Sequence, residues 1–270
     1  MGERISSTTT LFNALEENIA AISLKGIVRW DRFRHPELSE TPKHWVDVLG
    51  ETAIVFSHMR YFSRITEDFI KKEWPKFNKR QRRVLRLGIS LHDVGEAEID
   101  GLGIGDVPVP LKNESHEKIE REVAKKVINS LDIPENLKKE LNSAYQKVVV
   151  GKDPVLHNAF KALEKTEYLM TGLNVFKEAR RRKNIGLPGI FEAKRLVGLV
   201  LAKDLPKVIE KYAPEYPFFI GEYLLNEMGT IDAALASSES FFEPGTVDHS
   251  DFKRSKELWK NYKESFFFQK

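Results

Sequence analysis

The run His92-Asp93-Val94-Gly95-Glu96 holds the residues best suited to chemistry in this chain. An imidazole followed directly by a carboxylate can place two ligands on one metal ion, and that pair suits a divalent transition metal. Such an ion can hold a phosphate and a water together. Glu96 comes three residues after Asp93, so on a helix it would lie on nearly the same face. An apolar stretch precedes the run (Val84, Leu85, Leu87, Ile89, Leu91), which points to a site behind buried structure rather than a solvated surface. A second distinctive segment lies downstream, Gly105-Asp106-Val107-Pro108-Val109-Pro110-Leu111-Lys112.

Composition narrows the setting. With 270 residues, 41% hydrophobic and 31% charged, the chain can bury a sizeable core and is not a disordered segment. Its 43 basic residues are nearly balanced by 40 acidic ones, which speaks against a polymeric nucleic-acid partner. Cysteine is absent, so disulfides and thiolate metal sites are excluded and any metal must be held by His, Asp and Glu. No N-terminal apolar run suits a signal peptide or a membrane span, so a cytoplasmic location without membrane contact is expected.

The elements that must position the motif read as helices throughout, giving an all-α fold class. Apolar residues at helical spacing (Leu11, Leu15, Ile19, Ile22) predict a helix over 11–22. Residues 26–40 form a turn and loop. Thr41-Pro42 starts a helix over 44–72, either continuous or kinked near Gly50, and Trp74-Pro75 ends it. A helix over 79–94 delivers His92 and Asp93 at its C-terminal end. Residues 100–110 are a glycine- and proline-rich loop. Ser115 caps the next helix, which ends before Pro134. Further helices are expected over 137–149, 155–182, 190–203 and 218–236. The basic run 180–183 reads as a solvated helix end. The aromatic-rich residues from 240 onward pack back on the body. These elements suggest one helical domain over 1–183 and a helical extension over 184–270.

On these residues the chain resembles the HD-domain metal-dependent phosphohydrolases, a helical-bundle superfamily, and within it the 5′-deoxynucleotidase branch. The likeness is carried by His92-Asp93-x-x-Glu96, by Gly105-Asp106-x-Pro108-x-Pro110-x-Lys112 and by the helix Glu117-Lys118-Ile119-Glu120-Arg121-Glu122-Val123-Ala124. Downstream, Phe160-Lys161-Ala162-Leu163-Glu164-Lys165 resembles the family's final ligand helix, and Arg29-Trp30 resembles an Arg-Trp pair ahead of its first His. The resemblance spans about residues 25–175.

It implies one divalent ion (Mn, Co, Fe, Mg or Zn) held by His44, His92, Asp93 and Glu164. For the first ligand, His44 is favoured because it stands near a predicted helix start, with His58 as the alternative. His58 is expected within the helix, but its separation from His92 is closer to the family's. The two are fourteen residues apart, about 21 Å along a continuous helix, so one ion cannot take both. Glu164 stands where the family has aspartate, one methylene shorter. The resemblance further implies Glu96 as the group that orients water or shuttles its proton and Asp106 as a group at the leaving oxygen or sugar. Arg29 would grip phosphate, Trp30 would pack on the nucleoside, and Lys112 is a second phosphate candidate. The implied activity removes the 5′-phosphate of a (deoxy)nucleoside monophosphate, a small-molecule substrate, in a homodimer. The alternatives are an HD hydrolase of another phosphoester or a nucleotide triphosphate, and a non-catalytic metal- or nucleotide-binding module.

Overall fold

The structure, a computed structural model, describes residues 7–29, 49–99, 101–107, 112–181, 194–237 and 249–267. These are helical throughout; among them the only β pairing is two isolated bridges, Val28 with Ile54 and Ile99 with Leu102. The described residues divide into two compact units. One holds those from 7 to 29 and from 50 to 160, the other those from 161 onward together with Leu49. The division falls inside a helix rather than near residue 183.

In the first unit, helix α1 (Ser7–Glu17) buries Leu11, Phe12 and Leu15. It stops short of the predicted end. The Asn18 side chain accepts the Ala21 N–H and starts a 3-10 helix, Ile19–Lys25. An asparagine that bonds the backbone locally competes with helix continuation. As a result Ile19, predicted on the buried stripe, is 86% exposed.

A short antiparallel pairing decides where the next helix begins. Arg29 N–H donates to Ala53 O at 2.8 Å and Val55 N–H to Ile27 O at 3.0 Å. This holds Arg29 beside the start of helix α2 (Val55–Lys72). The chain therefore does not run as one continuous helix through this point; it breaks at Gly50, the kink that the sequence allowed. Gly50 has φ +61° and leads a 3-10 turn, Gly50–Thr52, before the helix begins. Helix α3 (Lys79–Ser90) opens with a reciprocal cap between Asn78 and Gln81. Its Gly88 lets helix α5 (Glu135–Val148) come close, since a Cβ there would lie 2.5 Å from Val148 Cβ. Between them in sequence, helix α4 (Glu114–Ser130) is capped by Asn113, not Ser115. Asn113 Oδ1 accepts the His116 N–H at 3.0 Å, and His116 Nδ1 accepts the Asn113 N–H at 3.2 Å. The apolar faces of α1 to α5 share one core.

Helix α6 (Pro154–Arg181) contributes its first residues, to Phe160, to this unit. In the second unit the predicted long helices are broken into shorter runs by wide turns at Val200–Asp204, Val208–Tyr212 and Pro217–Gly221. Pro206 and Pro217 lack the N–H an α-helix needs, which favours shifted i to i−5 bonding of the kind Ala213 N–H makes with Val208 O. The last helix, His249–Phe267, buries Phe252 and Trp259, and Trp259 Nε1 donates to Asp232 at 2.7 Å. The aromatic tail thus packs within its own unit, as far as residue 265.

Candidate metal centre

Helix α3 buries Leu85, Leu87 and Ile89, so its C-terminal end is driven into the core. There the α-helix gives way to tight turns. His92 N–H donates to Ile89 O, Val94 N–H to Leu91 O and Glu96 N–H to Asp93 O, and a 3-10 turn forms over Val94–Glu96. The predicted helix over 79–94 ends four residues early. The placement of Glu96 by a shared helix face therefore fails; the tight turn places it instead.

Opposite the turn stands His58. Because α2 begins at Val55, His58 lies in its first turn, with its N–H on Ile54 O at 2.8 Å. Three ligand atoms converge. His58 Nε2 is 3.0 Å from His92 Nε2 and 3.4 Å from Asp93 Oδ2, and His92 Nε2 is 2.9 Å from Asp93 Oδ2. Among the described residues this is the group of three that could hold a metal ion. Phe62 walls it, stacked on His58 at 5.7 Å and edge-on to His92 at 4.8 Å, with Phe160 6.1 Å from His92. His58 is 2% exposed, whereas the Asp93 side chain is 19% exposed and gives the group its opening.

The donor set fits a cation. His92 Nδ1 lies 2.8 Å from Ile89 O. A carbonyl only accepts, so Nδ1 carries the proton and the neutral ring presents a lone pair at Nε2. That lone pair faces a carboxylate oxygen, which also only accepts, so a proton or a metal must lie between them. The separations fit a metal as well. Bonds of about 2.1 Å put neighbouring ligands about 3.0 Å apart in an octahedron and about 3.4 Å apart in a tetrahedron. Burial, then the Arg29 charge, lowers the His58 imidazole well below its ordinary value, which keeps it a neutral ligand. Burial alone would raise Asp93, but its contacts with His92 and His58 and the charge of Arg29 outweigh it and hold the carboxylate well below its usual range.

For the first ligand the sequence favoured His44, with His58 as the alternative. His44 and Trp30 lie outside the described residues; the imidazole brought to the pair is His58. Glu164 belongs to the second unit, where its carboxylate ion-pairs with Lys161 at 3.0 Å and lies 3.9 Å from Lys165.

Arg29 is buried, donates from Nη1 to Thr52 O at 3.3 Å, and its charge reaches His58 and Asp93. Glu96 is buried too, and its Oε2 has no hydrogen-bond partner among the described residues. Burial, then the charges of Asp93 and Asp106, pushes its carboxyl well above the usual value, against Lys112. Asp106 follows Gly105, whose φ of +64° shapes the loop. Lys112 ion-pairs with Glu120 at 2.7 Å. Glu120 does not stand out in the sequence, where it sits in a charge-rich helix. Its spacing to Ala124, Val127 and Leu131, all buried, was the available signal: a glutamate on an apolar stripe.

No protein-family model, curated protein or solved structure matches this chain.

Proposed function

We propose that this chain is a metal-dependent phosphohydrolase that removes the 5′-phosphate of a (deoxy)nucleoside monophosphate. The observation that carries it is the convergence of His58 Nε2, His92 Nε2 and Asp93 Oδ2 at ligand spacing, within electrostatic reach of the buried Arg29. A divalent ion bound there would lower the pKa of a coordinated water and withdraw charge from a phosphoryl oxygen.

The chain's own groups complete the reaction. Arg29, already desolvated, meets a phosphate with two parallel N–H donors. Burial raises the Glu96 carboxyl, which makes its carboxylate a stronger base, so Glu96 would remove a proton from the attacking water and pass it on. Asp106 bonds the sugar or the leaving 5′-oxygen, and Trp30 packs on the nucleoside. Both roles rest on the resemblance, as does a homodimer. No helix among the described residues is long and apolar enough to cross a membrane.

The test is elemental analysis of the purified chain, then a phosphate-release screen over deoxy- and ribonucleoside monophosphates with Mn, Co and Mg. Release from a triphosphate or another phosphoester alone would move the substrate class. Bound metal with no release from any monophosphate would defeat the reading. The Lys161 pairing of Glu164 favours one competitor, a metal- or nucleotide-binding module without hydrolysis, because it occupies the expected fourth ligand. That module would bind a monophosphate and leave it intact.

A further inference from the structure

The tight turn after Asp93 rests directly on helix α4. A Cβ on Gly95 would lie 2.5 Å from the Glu120 carbonyl oxygen and 3.0 Å from Glu120 Cβ. Two backbones in such contact fix the distance between the His-Asp turn and the Glu120 side chain. From α4, Glu120 holds Lys112 in a 2.7 Å ion pair, and both side chains are half-buried. Lys112 precedes the Asn113 cap, so its backbone is fixed by the same helix two turns from Glu120. Its charge is felt at Glu96, and the charges of Glu96 and Asp93 are felt at Lys112, so the ammonium stands within reach of both.

A lysine here has two rivals for its position. The stem has four rotatable bonds, and the Asp93 and Glu96 carboxylates would draw a loose ammonium onto themselves, competing for the oxygen that faces His58 and His92. Glu120 counters both. It holds the ammonium by charge at 2.7 Å and leaves N–H donors for an anion, with the ordering cost met before binding. Burial alone would lower the Lys112 ammonium; the Glu120 carboxylate outweighs it and keeps the charge in place.

We propose that Glu120 is a positioning residue: it holds the Lys112 ammonium where that cation meets the phosphate of a substrate bound at the His58-His92-Asp93 centre. This rests on the phosphohydrolase reading and adds to it a second phosphate-binding cation besides Arg29, together with the carboxylate that aims it.

The experiment compares the metal-loaded wild-type chain with Lys112→Met, Glu120→Gln, the double variant and Glu120→Asp. The readouts are KM and kcat for a nucleoside monophosphate, the Kd of inorganic phosphate by calorimetry, and metal content. Lys112→Met and Glu120→Gln should each raise KM and the phosphate Kd by about tenfold, the scale of one charge-assisted contact. Metal content should stay unchanged and kcat should change far less than KM. The double variant should be no worse than either single one, because two groups acting as a unit are not additive. Glu120→Asp should recover part of the loss. KM and phosphate Kd unchanged in Glu120→Gln, independent additive effects, or loss of metal in Glu120→Gln would each overturn the proposal. Where the wild type hydrolyses a monophosphate and Glu120→Gln matches it, this inference alone fails. Where the wild type neither hydrolyses any monophosphate nor binds phosphate, the functional reading fails and takes this inference with it.

Discussion

His92 turns its Nδ1 to the carbonyl oxygen of Ile89, 2.8 Å away, so the ring nitrogen that faces Asp93 and His58 is the one that carries the lone pair. The same three-residue turn that ends helix α3 therefore also sets the tautomer of the ligand it delivers. Three lone-pair atoms then crowd one point, 2.9 to 3.4 Å apart, in a setting where burial and Arg29 oppose charging His58. A cation relieves that crowding. The purified chain should retain about one equivalent of a divalent metal, and a chelator should lower its thermal midpoint. A ligand present at a hundred times its Kd stabilises by about 2.7 kcal/mol. Asp93→Ala should abolish metal retention and chelator sensitivity alike; a variant that still holds metal would mean that the centre lies elsewhere.

The first ligand is decided by a paired substitution. His58→Ala should lose the metal, because its Nε2 is 3.0 Å from His92 Nε2. His44→Ala should keep it. The opposite result, metal lost with His44→Ala and kept with His58→Ala, would return His58 to the role of a buried core histidine stacked on Phe62.

This contrast shows which parts of the site were legible in the sequence. The His92-Asp93 pair, Glu96 and Arg29 were visible as residue types in a motif. The helices were visible as apolar periodicity, and α3, α5 and α6 form close to where that periodicity puts them. What periodicity cannot show is where a helix starts when a distant segment decides it. The Val28–Ile54 bridge begins α2 at Val55, and this moves His58 from mid-helix to a helix start. The criterion that favoured His44, a ligand near a helix start, thus selects His58. Glu120 was hidden for a related reason. Its role depends on a close approach at Gly95, and its place on the apolar stripe of α4 does not reveal what that stripe meets there.

The aromatic wall should matter through both packing and ligand orientation. Phe62 is buried, with ring contacts to His58 and His92. Phe62→Leu keeps an apolar side chain but loses both ring contacts, at a cost of about 1 to 2 kcal/mol in unfolding free energy. Metal affinity should fall by about tenfold or more, the usual loss when a group orienting a ligand is removed. Chemical denaturation and metal titration of the same variant separate the two. A stability loss with unchanged metal affinity would leave Phe62 a packing residue only.

Acid should destabilise the metal-free chain through His58. Its imidazole is lowered in the folded state by burial and then by Arg29, so between the folded value and about 6.5 the unfolded chain binds a proton that the folded chain does not. Stability from this group is therefore complete above about pH 6.5 and is lost as pH falls below it. In metal-free protein, the urea midpoint of His58→Gln should fall less steeply than that of the wild type between pH 7.5 and 5.5. Parallel slopes would show that the folded protein accepts the proton at His58.

Gly95 links the centre to helix α4, and its missing Cβ has a measurable consequence. Gly95→Ala would place a methyl 2.5 Å from the Glu120 carbonyl oxygen, a backbone atom that cannot swing aside. Either α4 retreats or the turn carrying Asp93 and Glu96 does. Overpacking of this kind costs about 1 to 3 kcal/mol. Both displacements should also weaken metal binding and loosen the Lys112–Glu120 pair from the centre. Gly229→Ala is the matched control, because nothing lies within 4 Å of a Cβ at that helical position. It should be neutral or add up to about 1 kcal/mol, since alanine favours the helix and restricts the unfolded chain. If Gly95→Ala matched Gly229→Ala in both stability and metal affinity, the turn and the helix would not be held in contact. The coupling between the His-Asp centre and Glu120 would then have no structural basis.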